Sequence, residues 1–104
     1  MRRGEVWLCD FGEPIGHEPG AVRPAVMVSA DQTAEYDLPI VLPISRTRRG
    51  YRTHIEVELS GEPSYVQCEL ICVRSAQRLL HRVGELDPLE IIRIENILRR
   101  LLKL

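Results

Sequence analysis

Residues Thr53 to Leu59 alternate without interruption, with Ile55, Val57 and Leu59 on one side and His54, Glu56 and Glu58 on the other. A period of two is the signature of a strand with one buried face. The stretch 4–11, Gly-Glu-Val-Trp-Leu-Cys-Asp-Phe, mixes apolar and polar positions in a β-branched and aromatic context and stops at Gly12 and Pro14, so it reads as a first strand. Residues 24–30, Pro-Ala-Val-Met-Val-Ser-Ala, are nearly all apolar and predict a buried second strand, followed by a helical turn or loop from Asp31-Gln32-Thr33. Leu38 to Ser45 carries Ile40, Val41, Leu42 and Ile44 and runs into an arginine-rich segment that closes at Gly50. With 53–59 it is expected to form a hairpin with an arginine tip. Tyr65 to Val73 and Gln77 to Leu86 give two further strand regions.

The period changes at the C-terminus. Asp87-Pro88-Leu89-Glu90 supplies an N-cap, a proline at the first helical position and a glutamate at N3, the arrangement that satisfies free N–H groups at a helix start. Ile91, Ile94, Leu98 and Leu101 then recur on one stripe, with Ile97 and Leu104 beside them and Arg93, Glu95, Asn96, Arg99 and Arg100 largely outside it. About six short strands and one terminal helix predict a small antiparallel barrel or sandwich on which the helix packs. At 104 residues the chain fits one domain spanning 1–104, because dividing it would leave two marginal cores.

A hydrophobic fraction of 44% and a charged fraction of 28% exclude a disordered or fibrous chain. No apolar run approaches the ~20 residues that span a bilayer, and Met1-Arg2-Arg3-Gly4-Glu5 leads straight into the first strand, so a cytoplasmic protein is expected. Cys9, Cys68 and Cys72 are an odd count without zinc spacing, which suggests buried reduced thiols. The net charge of -1 does not advertise a nucleic-acid binder, yet Arg46, Arg48, Arg49 and Arg52 are clustered, and a local basic patch survives a neutral sum.

Two constellations carry candidate chemistry. The loop 12–22, long for a connection, holds His17-Glu18 shortly before Arg23. Phosphodiester cleavage needs a base for the ribose 2′-hydroxyl and a cation for the phosphorane oxygens, and a guanidinium matches phosphate with its planar fork. The alternative is a surface loop whose Arg23 makes a structural salt bridge. Ser45-Arg46-Thr47-Arg48-Arg49-Gly50-Tyr51-Arg52 combines guanidiniums, hydroxyls and an aromatic ring, which suits phosphate neutralisation and base stacking; a solvated tip that keeps an edge from pairing is the other possibility. His54 and His81 stand alone and suit structural or surface roles, and Trp7 suits the core. No phosphate-binding glycine loop, nucleophile elbow or metal-ligand cluster is visible.

Arg3-Gly4-Glu5-Val6-Trp7, Asp10-Phe11-Gly12, Gly16-His17-Glu18, Arg23-Pro24-Ala25-Val26 and Pro43-Ile44-Ser45 together resemble the MazF/PemK family of toxin endoribonucleases, in register from residue 2 to about 60. The resemblance implies an SH3-like antiparallel barrel with a C-terminal helix. It also implies metal-independent cleavage of single-stranded RNA without a cofactor, leaving a 2′,3′-cyclic phosphate and a 5′-hydroxyl, by a homodimer that a cognate antitoxin holds inactive. By it Arg23 is the catalytic arginine, Glu18 an acidic loop position that serves as base in some members, and Ser45 a hydroxyl where the family usually has threonine. His17 replaces a residue that is often serine and is a further proton-transfer or RNA-binding candidate, with Arg46, Thr47, Arg48, Arg49, Tyr51 and Arg52 as the RNA-binding patch. Where many members have Glu/Asp-Gln-Ile/Val-Arg/Lys, this chain has Glu69-Leu70-Ile71-Cys72. Two other functions fit the same fold: a CcdB-like gyrase poison, whose terminal Trp-Gly-Ile is absent from Leu102-Lys103-Leu104, and a non-catalytic SH3-like binding module.

Overall fold

The computed structural model describes residues 1–30 and 38–104, so the turn expected at Asp31-Gln32-Thr33 lies outside the described residues. The strands are β1 (Glu5–Asp10), β2 (Val22–Met27), β3 (Ile40–Ser45), β4 (His54–Leu59), β5 (Glu62–Gln67), β6 (Cys72–Val73) and β7 (Leu79–Glu85), and the helix is α1 (Pro88–Leu102). They form one sheet in the order β4-β5-β3-β2-β1-β7, with the short β6 against β3. Every pairing is antiparallel. The strand-rich architecture with a terminal helix is as expected, but no ladder joins β4 to β7 among the described residues, so the barrel is an open sheet.

The expected β3–β4 hairpin does not form, because β5 lies between the two strands and pairs with both. The tight turn is instead Ser60-Gly61, with φ of 54° and 79°, joining Leu59 to its partner Glu62. Two left-handed residues in a two-residue loop match the twist of an antiparallel pair, and so short a loop closes more readily than the longer 46–53 connection. The arginine-rich segment therefore crosses past β5 instead of capping a hairpin.

The sheet's pleat sends alternate residues to opposite faces. Val26, Leu42, Ile44, Ile55, Val57, Leu59 and Val66 turn toward α1 and bury with Val6, Cys68, Leu86 and Ile94. Asp87 and Glu90 form a reciprocal cap that starts α1, and Ile94 is 1% exposed at the centre of its contact. Ile91, Ile97 and Leu98 pack beside it, whereas Leu101 and Leu104 are exposed, so the predicted stripe seals the sheet only through Leu98. A smaller cluster of Cys9, Phe11, Ala25, Met27, Val41 and Leu79 covers the opposite face, with Trp7 and Cys72 partly buried against it. Burial pushes the thiols of Cys9 and Cys68 up to about 11 and about 12, and burial outweighs Arg74 in raising that of Cys72. All three are free and protonated at neutral pH; Cys9 and Cys68 are buried as expected, whereas Cys72 is only half-buried.

The alternation also decides what shares the helix-free face. Arg23 lies on it with Ala25 and Met27, Tyr65 and Gln67 lie on it opposite Val66, and His54 lies on it opposite Ile55. The β2–β3 ladder ends at the pair Ala25–Pro43, and beyond it Ser45 pairs with Tyr65 of β5.

Candidate active site

The loop before β2 is closed at its base by backbone. Phe11 N–H donates to the Ala21 carbonyl at 2.9 Å, and Ala21 N–H donates to the Gly12 carbonyl at 2.8 Å. Asp10 Oδ1 accepts from Gly12 N–H at 2.9 Å, and Glu18 Oε1 accepts from Ile15 N–H at 2.9 Å, which folds the outer turn on itself. Gly20 meets the Pro14 ring so closely that a Cβ there would lie 2.4 Å from Pro14 Cδ. Gly20→Ala must therefore push the two limbs of the loop apart. It is expected to lower stability by about 1–3 kcal/mol and to displace His17 and Glu18, which thermal melts and RNA binding would register together.

This loop, the start of β2, the 46–53 connection and the β4–β5 end of the sheet enclose a cavity of about 500 Å³. The loop contributes His17, Glu18 and Pro19, β2 contributes Arg23, and the connection contributes Arg49 and Tyr51. The far wall is His54, Gln67, Glu69 and Leu70. Tyr51 tilts over His54 with ring centroids 4.9 Å apart. Among the described residues no group of three His, Cys, Asp or Glu side chains is arranged to hold a metal ion.

Four buried side-chain polar atoms have no hydrogen-bond partner among the described residues: Arg23 Nε, His54 Nδ1, Gln67 Oε1 and Ser64 Oγ. The first three belong to residues of this one cavity wall. Buried polar groups are normally paired, and leaving one unpaired opposes folding, so the unpaired Arg23 Nε and Gln67 Oε1 on this wall point to a site shaped for a polar ligand. Arg23 forms no salt bridge among the described residues.

Glu69 is the best-held charge in the cavity. His54 Nε2 lies 2.8 Å from its Oε2, and the Thr53 hydroxyl donates to its Oε1 at 2.9 Å. Burial raises its pKa, but the hydrogen bonds from His54, its own backbone and Thr53 outweigh burial and hold the carboxyl below its ordinary value.

The cavity thus gathers Arg23, Glu18, His17, Arg49 and Tyr51 from the residues expected to act, and leaves out Ser45, Arg46, Thr47, Arg48 and Arg52. Ser45 ends β3, where its Oγ accepts from Thr47 N–H at 3.0 Å. Arg46 turns to the β4–β5 hairpin, donating to the Leu59 carbonyl and pairing with Glu62, each at 3.2 Å. Thr47, Arg48 and Arg52 are exposed. The sequence alone does not single out His54, Gln67 or Glu69. The acidic first position of Glu69-Leu70-Ile71-Cys72 was the available signal; nothing local marks His54 or Gln67.

A family described as the PemK-like, MazF-like toxin of type II toxin-antitoxin systems matches residues 2–102. The chain belongs to this toxin family. The toxin is 30% identical to the Endoribonuclease MazF of Staphylococcus saprophyticus, over 92% of this chain and 86% of that one. It is 29% identical to the Endoribonuclease MazF of Staphylococcus epidermidis, over 94% and 88% of the two chains. Its fold superposes on a MazF from Deinococcus radiodurans with a TM-score of 0.89 at 19% identity, covering 100% of the toxin and 97% of that chain. A mycobacterial endoribonuclease solved in complex with its cognate antitoxin gives a TM-score of 0.84 at 24% identity, covering 100% and 96%.

Proposed function

We propose that this toxin is an endoribonuclease that cuts single-stranded RNA without a metal or other cofactor. The observation that carries the proposal is Arg23, a guanidinium with an unpartnered buried Nε on the wall of a cavity that also holds two carboxylates, Glu18 and Glu69. In the reaction the ribose 2′-oxygen attacks the adjacent phosphorus, its proton passes to a carboxylate, and the bond from phosphorus to the 5′-oxygen breaks. The departing 5′-oxygen takes up a proton, and the products are a 2′,3′-cyclic phosphate and a 5′-hydroxyl.

Arg23 offsets the charge that develops on the non-bridging oxygens, which a preorganised guanidinium does at little reorganisation cost. Glu69 receives the 2′ proton, since each of its oxygens is held by a side-chain hydrogen bond, whereas Glu18 is turned onto the backbone of its own loop. Glu18 and His17 border the path of the chain. The Ser45 hydroxyl accepts from Thr47 and keeps its hydrogen free to donate to a phosphate oxygen. Tyr51 is 56% exposed at the rim and offers a face on which a splayed base stacks. By likeness to the mycobacterial complex, the proposal extends to a cognate antitoxin that blocks the cavity, and to a homodimer acting in the cytoplasm. Incubating the purified protein with a long single-stranded RNA in EDTA tests the activity: discrete fragments are expected, and intact RNA would contradict it.

Arg48 and Arg49 carry no salt bridge among the described residues, unlike Arg46. Changing both to serine is expected to weaken binding of all RNA sequences alike and to flatten the dependence of log K on log salt by about 0.7 for each phosphate that is no longer neutralised. Binding isotherms at several salt concentrations measure that slope, and an unchanged slope would place the backbone contacts elsewhere.

A further inference from the structure

Glu69 is gripped by neighbours in the chain from another strand. His54 opens β4 and Thr53 immediately precedes it, and Glu69 lies in the turn of 3₁₀ helix at Cys68–Leu70 that follows β5. The backbone brings them together: Cys68 N–H donates to the Thr53 carbonyl at 3.1 Å, and His54 is the register partner of Gln67. Each carboxylate oxygen then meets one donor, the Thr53 hydroxyl on Oε1 and the imidazole on Oε2.

The order of reach decides what the imidazole does. Where a histidine is itself the base, the carboxylate lies behind and the ring faces the substrate. Here the order is reversed: the His54 side chain is 3% exposed, and the Glu69 side chain, at 31%, stands in front of it. His54 Nδ1 is buried without a partner, and neighbouring Gln67 Oε1 does not supply one. A half-satisfied buried imidazole opposes folding, so its placement is better accounted for by what its other nitrogen holds.

We infer that Thr53 and His54 form a clamp that fixes the Glu69 carboxylate toward the cavity, making His54 a positioning residue for RNA cleavage and not a group that meets the substrate. The inference rests on the nuclease reading above. Its consequence lies in the pH profile. The titratable and charged groups around Glu69 are His54 from β4, Arg23 from β2, His17 and Glu18 from the loop, Arg49 and Tyr51 from the connection, and the neighbouring thiols of Cys68 and Cys72, with Arg74 lining the outer side. Of these, His54 is the one that hydrogen-bonds it, and it does so together with Thr53. A carboxyl held below its ordinary pKa stays ionised as the pH falls, so removing the clamp raises its midpoint and moves the acidic limb of the rate profile to higher pH.

The test compares wild type, His54→Ala, His54→Gln and Thr53→Val. Two quantities are measured: single-turnover cleavage against pH, and the titration of the Glu69 carboxyl by carbon NMR in the RNA-free protein. His54→Ala is expected to lose about 10- to 100-fold in rate, with binding of an RNA blocked by 2′-O-methylation at the cleaved ribose unchanged. Its Glu69 midpoint and acidic limb are expected to rise together, with Thr53→Val moving both in the same direction. His54→Gln, whose amide can donate in place of Nε2, is expected to recover part of the rate. A folded His54→Ala protein with an unmoved Glu69 midpoint and an unmoved acidic limb would overturn the inference. If His54→Ala fails to fold, an unmoved midpoint in both His54→Gln and Thr53→Val would do the same. A wild-type protein that leaves RNA intact would refute the nuclease reading and with it the positioning role, while the carboxyl titration would still decide whether the clamp exists.

Discussion

Arg23→Ala is expected to lower single-turnover cleavage by about 100- to 1,000-fold without lowering the melting temperature. The two halves of that result have separate causes. The phosphorane loses a planar, charged hydrogen-bond donor, and a lysine replacement should recover little because a point charge cannot form the bidentate fork. The fold loses nothing comparable, since Arg23 Nε is buried without a partner and the side chain joins no salt bridge among the described residues. Removing an unsatisfied donor leaves stability unchanged or slightly raised. A folded alanine variant that cuts at the wild-type rate would remove Arg23 from the chemistry, and a variant that unfolds would restore its structural role.

Ile94→Ala is expected to act in the opposite way, destabilising the protein by about 2–5 kcal/mol while leaving the cavity's chemistry in place. Ile94 is the most buried residue of α1 and packs against the face of the sheet turned away from Arg23. Truncating it leaves a void between helix and sheet, and a loss of that size lowers the melting temperature by roughly 10–30 °C for a chain this small. Cleavage measured well below that melting temperature should stay near wild type. Thermal denaturation followed by circular dichroism gives the first quantity and the RNA assay gives the second. A shift of only a few degrees would mean that Leu98 and Ile91 carry the contact instead.

The features legible in the sequence are those that local physics fixes. The alternation of 53–59 named β4 and its buried side, and Asp87-Pro88-Leu89-Glu90 named the start of α1 through the hydrogen bonds that the cap makes. The loop before Arg23 was visible as an interruption rich in Gly and Pro. Partner choice was not visible, because Leu38–Ser45 reads the same whether its neighbour is β4 or β5; the deciding detail is the left-handed pair Ser60-Gly61. The far wall of the cavity was hidden for the same reason. His54 looks like any polar residue on the outer face of a strand until the β4–β5 register brings it to Gln67 and Glu69. The arginine-rich segment was legible as charge but not as geometry: Arg49 reaches the cavity, whereas Arg46 is tied to Glu62.

If the 2′-oxygen of the RNA is the nucleophile, activated by a carboxylate and met by Arg23, a substrate altered at one atom tests the mechanism most directly. A short RNA containing a single cleaved position is compared with the same strand carrying 2′-deoxyribose or 2′-O-methylribose there, both in EDTA. The unmodified strand is expected to be cut to a 2′,3′-cyclic phosphate and a 5′-hydroxyl, and both modified strands to stay whole while still binding. Cleavage of the 2′-deoxy strand at that position, or fragments ending in a 3′-hydroxyl and a 5′-phosphate, would contradict it.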